Sequence, residues 1–156
     1  MRPTGRCCGS GRGAASTNCA GCPTPIWAKM AAIGYCFGGM TVLEMARDGQ
    51  NDLAGVVSFH GVFATPTPLK PDVYKGKILV LHGVDDPVVQ DEQTLAFWKE
   101  MRDAKANWEF VAYGKALHTF TNWLMPEDGP PPAVYNKQAD RRSWIAMQDF
   151  FKEIFA

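Results

Sequence analysis

Long apolar runs are missing from this sequence. No stretch approaches the roughly 18 residues that a membrane span needs, and the N-terminus lacks the apolar core of a secretory signal. A protein without a membrane segment is therefore expected, with the cytoplasm as its compartment. An excess of either charge is missing too: 16 basic side chains balance 16 acidic ones. Without a basic stripe, neither nucleic acid nor an anionic membrane surface is an expected partner. Histidine is scarce, with three in the chain, and cysteine is scarce wherever the sequence is apolar. Cys7, Cys8, Cys19 and Cys22 all fall within the first 25 residues, and Cys36 stands alone in the remainder.

That first segment, residues 1–25, is rich in Gly, Arg, Ser, Thr, Ala, Pro and Cys, holds three Arg and no acid, and shows no apolar periodicity. It is expected to be a disordered low-complexity leader outside the folded domain. Its four cysteines could supply thiolates to a zinc ion or a thiol redox pair, but adjacent Cys7 and Cys8 make poor ligand geometry. No metal and no organic cofactor is expected.

What is present from residue 26 to 156 is a texture of short apolar runs alternating with helical patterns, which predicts an α/β domain with a short, mostly parallel sheet of about four strands. Lys29 to Ile33 is a strand stopped by Gly34, and a helix from Gly38 to Asp48 ends at Gly49. Leu53 to Phe59, nearly continuous in apolar residues, predicts a central strand covered on both faces. Pro66, Pro68 and Pro71 make His60 to Gly76 a loop, and Lys77 to Leu81 is the third strand. A helix capped by Asp91 and running to about Ala104 should bury Leu95, Trp98 and Met101 or Arg102, and Trp108 to Tyr113 is the fourth strand. After a long loop, Gly114 to Pro132, the last helix from about Val134 to Phe155 should bury Trp144, Met147, Phe151 and Ile154. The Pro-rich part of that loop, Pro126 to Pro132, is expected to border a pocket. There is no internal repeat.

Three short patterns carry chemistry. Gly34-Tyr35-Cys36-Phe37-Gly38 lies between a strand and a helix, the context of a nucleophile elbow. So sharp a turn asks for small flanking residues, lifts the Cys36 thiol above the sheet, and aims the Phe37 N–H at the same point as an oxyanion donor. The helix dipole there favours thiolate. Against this stands the plain alternative that an isolated Cys among apolar residues is inert core. His82-Gly83-Val84-Asp85-Asp86-Pro87 follows a strand, so Asp85 or Asp86 is placed at the functional edge of an α/β sheet to orient a histidine, or else simply closes a turn. His118 follows the last strand, and the order nucleophile, acid, base is that of α/β hydrolases. His60 and His82 each precede a Gly at a strand end, where packing or loop bonding is the expected role.

Gly34-Tyr35-Cys36-Phe37-Gly38-Gly39-Met40, Leu81 to Val88 and His118-Thr119-Phe120-Thr121-Asn122 together resemble the three signatures of the dienelactone hydrolase family, a likeness that covers residues 27 to 156. The family reads its acid from a G-x-x-D-x-x-V pattern, so Gly83 and Val89 point to Asp86 rather than Asp85. The resemblance implies the C-terminal half of an α/β-hydrolase fold and hydrolysis of a carboxylic ester or lactone. Cys36 would be the nucleophile through a thioester acyl-enzyme, His118 the base, Asp86 its orienting acid and Phe37 an oxyanion donor. Tyr35, Phe120 and Asn122 are candidates for the substrate pocket. Asn122 stands where dienelactone hydrolases proper have an arginine for the substrate carboxylate, so the implied substrate is a small-molecule ester or lactone that need not be a dienelactone. An impaired fragment serving as an interaction protein is the alternative.

The family elbow normally follows the fifth of about eight strands, whereas one predicted strand precedes Cys36. The elbow strand is therefore expected to present an unpaired apolar edge. Sedimentation is expected to find a homo-oligomer, aggregate or complex with an N-terminal half; a monodisperse monomer with full secondary structure would contradict that expectation.

Overall fold

The computed structural model describes residues 30–156; the leader predicted for residues 1–25 lies outside them. The described residues form four strands and three helices, in the order β1 (Met30–Tyr35), α1 (Phe37–Arg47), β2 (Leu53–Phe59), β3 (Lys77–Gly83), α2 (Asp91–Asp103), β4 (Asn107–Tyr113) and α3 (Lys137–Ile154). The strands lie side by side in chain order and all pairings are parallel. Their C-terminal ends are consequently level, with Tyr35 opposite Phe59 and Gly83 opposite Tyr113. No helix among the described residues is long and apolar enough to cross a membrane.

Alternation along the central strands feeds two cores. Val56, Ile78 and Val80 pack on one face with Val42, Leu43 and Ala46 of α1 and Phe97 and Met101 of α2. Val57, Leu79 and Leu81 pack on the other with Met147 and Phe150 of α3. Both faces of β2 and β3 are thus dry, which explains their unbroken Val and Leu runs. The predicted loop after β2 joins two parallel strands without a helix, and Phe63, Leu69 and Tyr74 from it fill the first core instead.

Several predicted details are corrected. β1 does not stop at Gly34 but runs through Tyr35, and β3 runs through Gly83, because parallel pairing with the neighbouring strand persists to those residues. Asp91 is not the cap of α2: Gln90 precedes the helix, its N–H donating to Gln93 Oε1 at 3.1 Å, while Asp91 sits in the first turn. Leu95 is 58% exposed, and Phe97 takes the buried position beside Met101. In α3 the cap is Asn136, which accepts from Ala139 N–H at 3.0 Å, and Phe150 rather than Trp144 faces the core. Spacing by three or four defines a stripe, but two adjacent stripes of α3 both satisfy it.

A buried ion pair joins the two helices of the first face. Arg47 meets Glu100 with two bonds of 2.8 Å and Glu44 at 2.7 Å, and also donates to Phe63 O at 3.0 Å. Glu100 in turn accepts from Leu69 N–H at 2.7 Å, so one carboxylate fixes α1, α2 and the loop after β2. The guanidinium is buried but fully bonded, the condition under which such a pair is retained. Glu100→Ala is expected to lower unfolding free energy by about 3–5 kcal/mol, measured by urea denaturation, since it strands Arg47; a loss below about 1 kcal/mol would equate the pair with a surface bridge.

Candidate active site

The turn from β1 into α1 is sterically forced. Cys36 sits at φ 53°, in the left-handed region that side-chain-bearing residues rarely occupy. A Cβ on Gly34 would stand 2.0 Å from Gly38 O, so only glycine fits before the turn. The glycine explanation extends differently on the far side: a Cβ on Gly38 would meet nothing, whereas one on Gly39 would lie 2.8 Å from Ser58 Oγ and 2.9 Å from Phe59 O. Gly39, not Gly38, is the second glycine that packing demands, because α1 crosses close over β2.

The Cys36 N–H is held by the end of β2, donating to Phe59 O at 3.0 Å and His60 Nδ1 at 3.2 Å. Its sulfur is half-buried and lies 3.1 Å from His118 Nε2. The other ring nitrogen, His118 Nδ1, lies 2.7 Å from Asp86 Oδ2. Sulfur, imidazole and carboxylate thus come together from the ends of β1, β4 and β3. Asp85 is exposed and takes no part, while Asp86 is buried and its second oxygen accepts from Val88 N–H at 2.8 Å. The turn role and the histidine-orienting role foreseen as alternatives belong to the same side chain.

The carboxylate hydrogen bond from Asp86 raises His118 to about 9, against the lowering effect of burial; contact with Cys36 adds to the rise. His60 behaves oppositely. Burial, helped by the charge of His118, pushes it down to about 4, so it stays neutral and can accept at Nδ1. With Nδ1 an acceptor, Nε2 carries the hydrogen and donates to Thr121 Oγ1 at 2.8 Å. His60 was expected to bond a loop, and it does so at the centre of the site. His82 is a buried packing residue between Phe63 and Phe110.

Phe37 opens α1, so its N–H has no intrahelical acceptor, and the residue is 72% exposed. A hollow of about 520 Å³ opens beside Cys36, walled by Tyr35, His60, Asn122, Trp123, Asp140 and Trp144 among others. Tyr35 and Asn122 line this hollow. Phe120 does not: it is fully buried beneath His60 and Tyr113, because its side chain is drawn into the second core. Nor does Pro126 to Pro132 border the hollow, since Thr119 to Trp123 turn back over the site first. His60, Trp123, Asp140 and Trp144 were missed as site residues. For Trp144 the signal was its place four residues after Asp140, on a stripe turned away from Phe150.

Among the described residues no group of three His, Cys, Asp or Glu is placed to hold a metal ion. Cys7, Cys8, Cys19 and Cys22, the zinc and redox candidates, lie outside them.

Residues 10–155 match the family model described as the dienelactone hydrolase family. The chain belongs to the dienelactone hydrolase family. It is 36% identical over 132 residues to K02A2.1, an uncharacterized protein of Caenorhabditis elegans, covering 82% of each chain. Among solved structures it resembles m3DLH, with a TM-score of 0.74 and 40% identity over 81% of this chain and 52% of that one. It also resembles the dienelactone hydrolase-like promiscuous phosphotriesterase P91 from metagenomic libraries, with a TM-score of 0.69 and 41% identity over 81% of this chain and 53% of that one. The chain spans about half the length of these two solved structures. Its four-stranded parallel sheet with flanking helices is part of the α/β-hydrolase fold common to the dienelactone hydrolase family.

The two imidazoles of this site titrate in opposite directions, which is measurable by NMR. His118 is expected to lose its ring proton near pH 9 and His60 to gain one only near pH 4. Because the folded value of His118 lies above the ordinary 6.5, its charged form stabilises the fold fully below pH 6.5, and that contribution disappears as pH rises through about 9. The stability difference between wild type and His118→Gln should therefore shrink from pH 6.5 to 9; a difference constant across that range would contradict the assignment.

Proposed function

We propose that this chain hydrolyses carboxylic esters or lactones, with Cys36 as nucleophile, His118 as base and acid, and Asp86 as the group that orients His118. The observation that carries this reading is the relay of 3.1 Å from sulfur to Nε2 and 2.7 Å from Nδ1 to carboxylate. A relay of that geometry lies within the reach that proton transfer requires.

In the proposed reaction the proton shared by Cys36 and His118 rests on His118 Nε2, whose charged form Asp86 stabilises, while the Cys36 sulfur bonds to the substrate carbonyl carbon. The negative charge that gathers on the carbonyl oxygen is met by the Phe37 N–H, left free at the start of α1. As the tetrahedral species collapses, the carbon–oxygen bond to the alcohol breaks and His118 returns the proton to the leaving oxygen. A thioester on Cys36 remains. Water then attacks it while His118 takes a proton, the carbon–sulfur bond breaks, and the acid leaves as the thiol is restored. Asp86 keeps the imidazole in the tautomer that this sequence needs and balances its positive charge. The chemistry so written uses side chains and water.

Tyr35 and Asn122 would form part of the wall that receives the acyl group. The proposed setting is the cytoplasm, where a free thiol persists. The proposed organisation is a hydrolase domain at 26–156 behind a leader at 1–25, with a second copy or an N-terminal half pairing at the β1 edge. An interaction protein without turnover is the reading that remains if wild type and Cys36→Ala hydrolyse esters at equal rates.

Cys36→Ala is expected to reduce ester hydrolysis to background, and mass spectrometry of quenched wild type should show an acyl adduct on the Cys36 peptide. Asp86→Asn is expected to lower kcat by about 10³–10⁴-fold, as when a triad histidine loses its orienting carboxylate. Asp85→Asn should change it by less than about threefold, because that side chain is exposed and the imidazole bonds Asp86 instead. Comparable losses in both Asp variants would sink the assignment of Asp86.

A further inference from the structure

The hollow beside Cys36 is uneven in charge. Asp140 contributes a carboxylate to its wall, and no lysine or arginine lines it among the described residues. His60, also in the wall, is neutral above about pH 4. Arg141 and Arg142 follow Asp140 in sequence but turn into a separate hollow with Glu127 and Lys137, so they do not neutralise it from within. Around the sulfur, then, the carboxylates of Asp86 and Asp140 stand against the single imidazolium of His118.

Asp140 is also held in place. One of its oxygens accepts from the Tyr135 hydroxyl at 3.0 Å, and the other has no hydrogen-bond partner among the described residues. Its charge reaches the opposite wall: the Tyr35 hydroxyl is raised first by burial and next by the negative charge of Asp140. Tyr35, Trp123 and Trp144 bring aromatic surface to the same wall, beside the polar Thr119, Thr121 and Asn122. Tyr35 stacks on Phe59 with ring centroids 4.5 Å apart, Trp144 stands one helical turn after Asp140 at 48% exposure, and Trp123 lines the same hollow at 74% exposure. Large indoles left open to solvent beside an unneutralised carboxylate are the two halves of a cation site, since aromatic faces and a carboxylate both attract positive charge. The same field opposes an anionic acyl group.

We propose that this hollow selects esters whose acyl group carries an ammonium cation, seated between Asp140 and the faces of Trp123 and Trp144, so that the ester carbonyl lies over Cys36. The proposal deepens the hydrolase reading and rests on it.

Three 4-nitrophenyl esters of matched length test it: 4-(trimethylammonio)butanoate, its neutral carbon isostere 5,5-dimethylhexanoate, and the anionic half-ester of adipic acid. Each rate is divided by the ester's own hydroxide-catalysed rate to remove intrinsic reactivity. The full chain is expected to favour the cationic ester over the neutral one by about tenfold in kcat/KM, and to disfavour the anionic one. Asp140→Asn, whose amide oxygen can still accept from Tyr135, should bring the cationic-to-neutral ratio within about threefold. Equal kcat/KM for the cationic and neutral esters, or a preference that survives Asp140→Asn, would overturn the proposal. Should the chain hydrolyse none of the three, the hydrolase reading fails instead. The charge preference is then read from Cys36 itself, by mass-spectrometric rates of modification with cationic and anionic methanethiosulfonates. A cation-to-anion ratio that falls severalfold in Asp140→Asn supports it, and an unchanged ratio overturns it.

Discussion

One backbone N–H holds this site together. Cys36 is bent into the left-handed region, and its amide donates at once to Phe59 O and to His60 Nδ1. A strained residue persists only when its surroundings over-determine it, and here the surroundings are the end of the neighbouring strand. From His60 the chain of bonds continues to Thr121, three residues beyond His118. The turn at Cys36 and the loop bearing His118 are therefore braced by the same neutral imidazole, and its neutrality is a requirement, because a protonated Nδ1 would confront the Cys36 N–H with a second donor. Burial supplies that neutrality at no cost in charge balance.

The sheet does the rest of the positioning. Parallel pairing in level register brings the C-terminal ends of all four strands to one rim, so residues far apart in sequence share a small space. Rigidity behind that rim comes from two dry faces and from the Arg47 cluster, which ties α1 to α2 over the first of them. Part of the wall is built separately from the strands, since Trp123 comes from a loop and Asp140 and Trp144 from α3.

Much of this was legible in the sequence. The dry strands announced themselves through unbroken Val and Leu, and β2 was bounded to the residue. The meeting of Cys36, Asp86 and His118 at one rim was legible because the place of each depends on local features: a glycine before the turn, a carboxylate after a strand, a histidine in the next loop. Asp86 was separable from Asp85 by family pattern and not by chemistry, since either could have reached a histidine; burial of one and exposure of the other is a tertiary fact. The wall of the hollow was much less legible. Phe120 and Trp144 exchanged their expected roles because aromatic residues suit both a core and an open pocket, and only the placement of α3 against β2 and β3 decides which stripe is covered. His60 was undervalued because its partner at Nδ1 is a backbone amide, which leaves no mark on residue type.

Asp86 spends one oxygen on the Val88 amide and the other on His118. A side chain with one more methylene could reach the imidazole or close the turn, but its carboxylate would no longer sit where both partners lie. Glutamate, chemically equivalent as an acid, is therefore geometrically foreign at this position. The residue that looks most exchangeable in the relay is the one whose length the fold fixes most tightly.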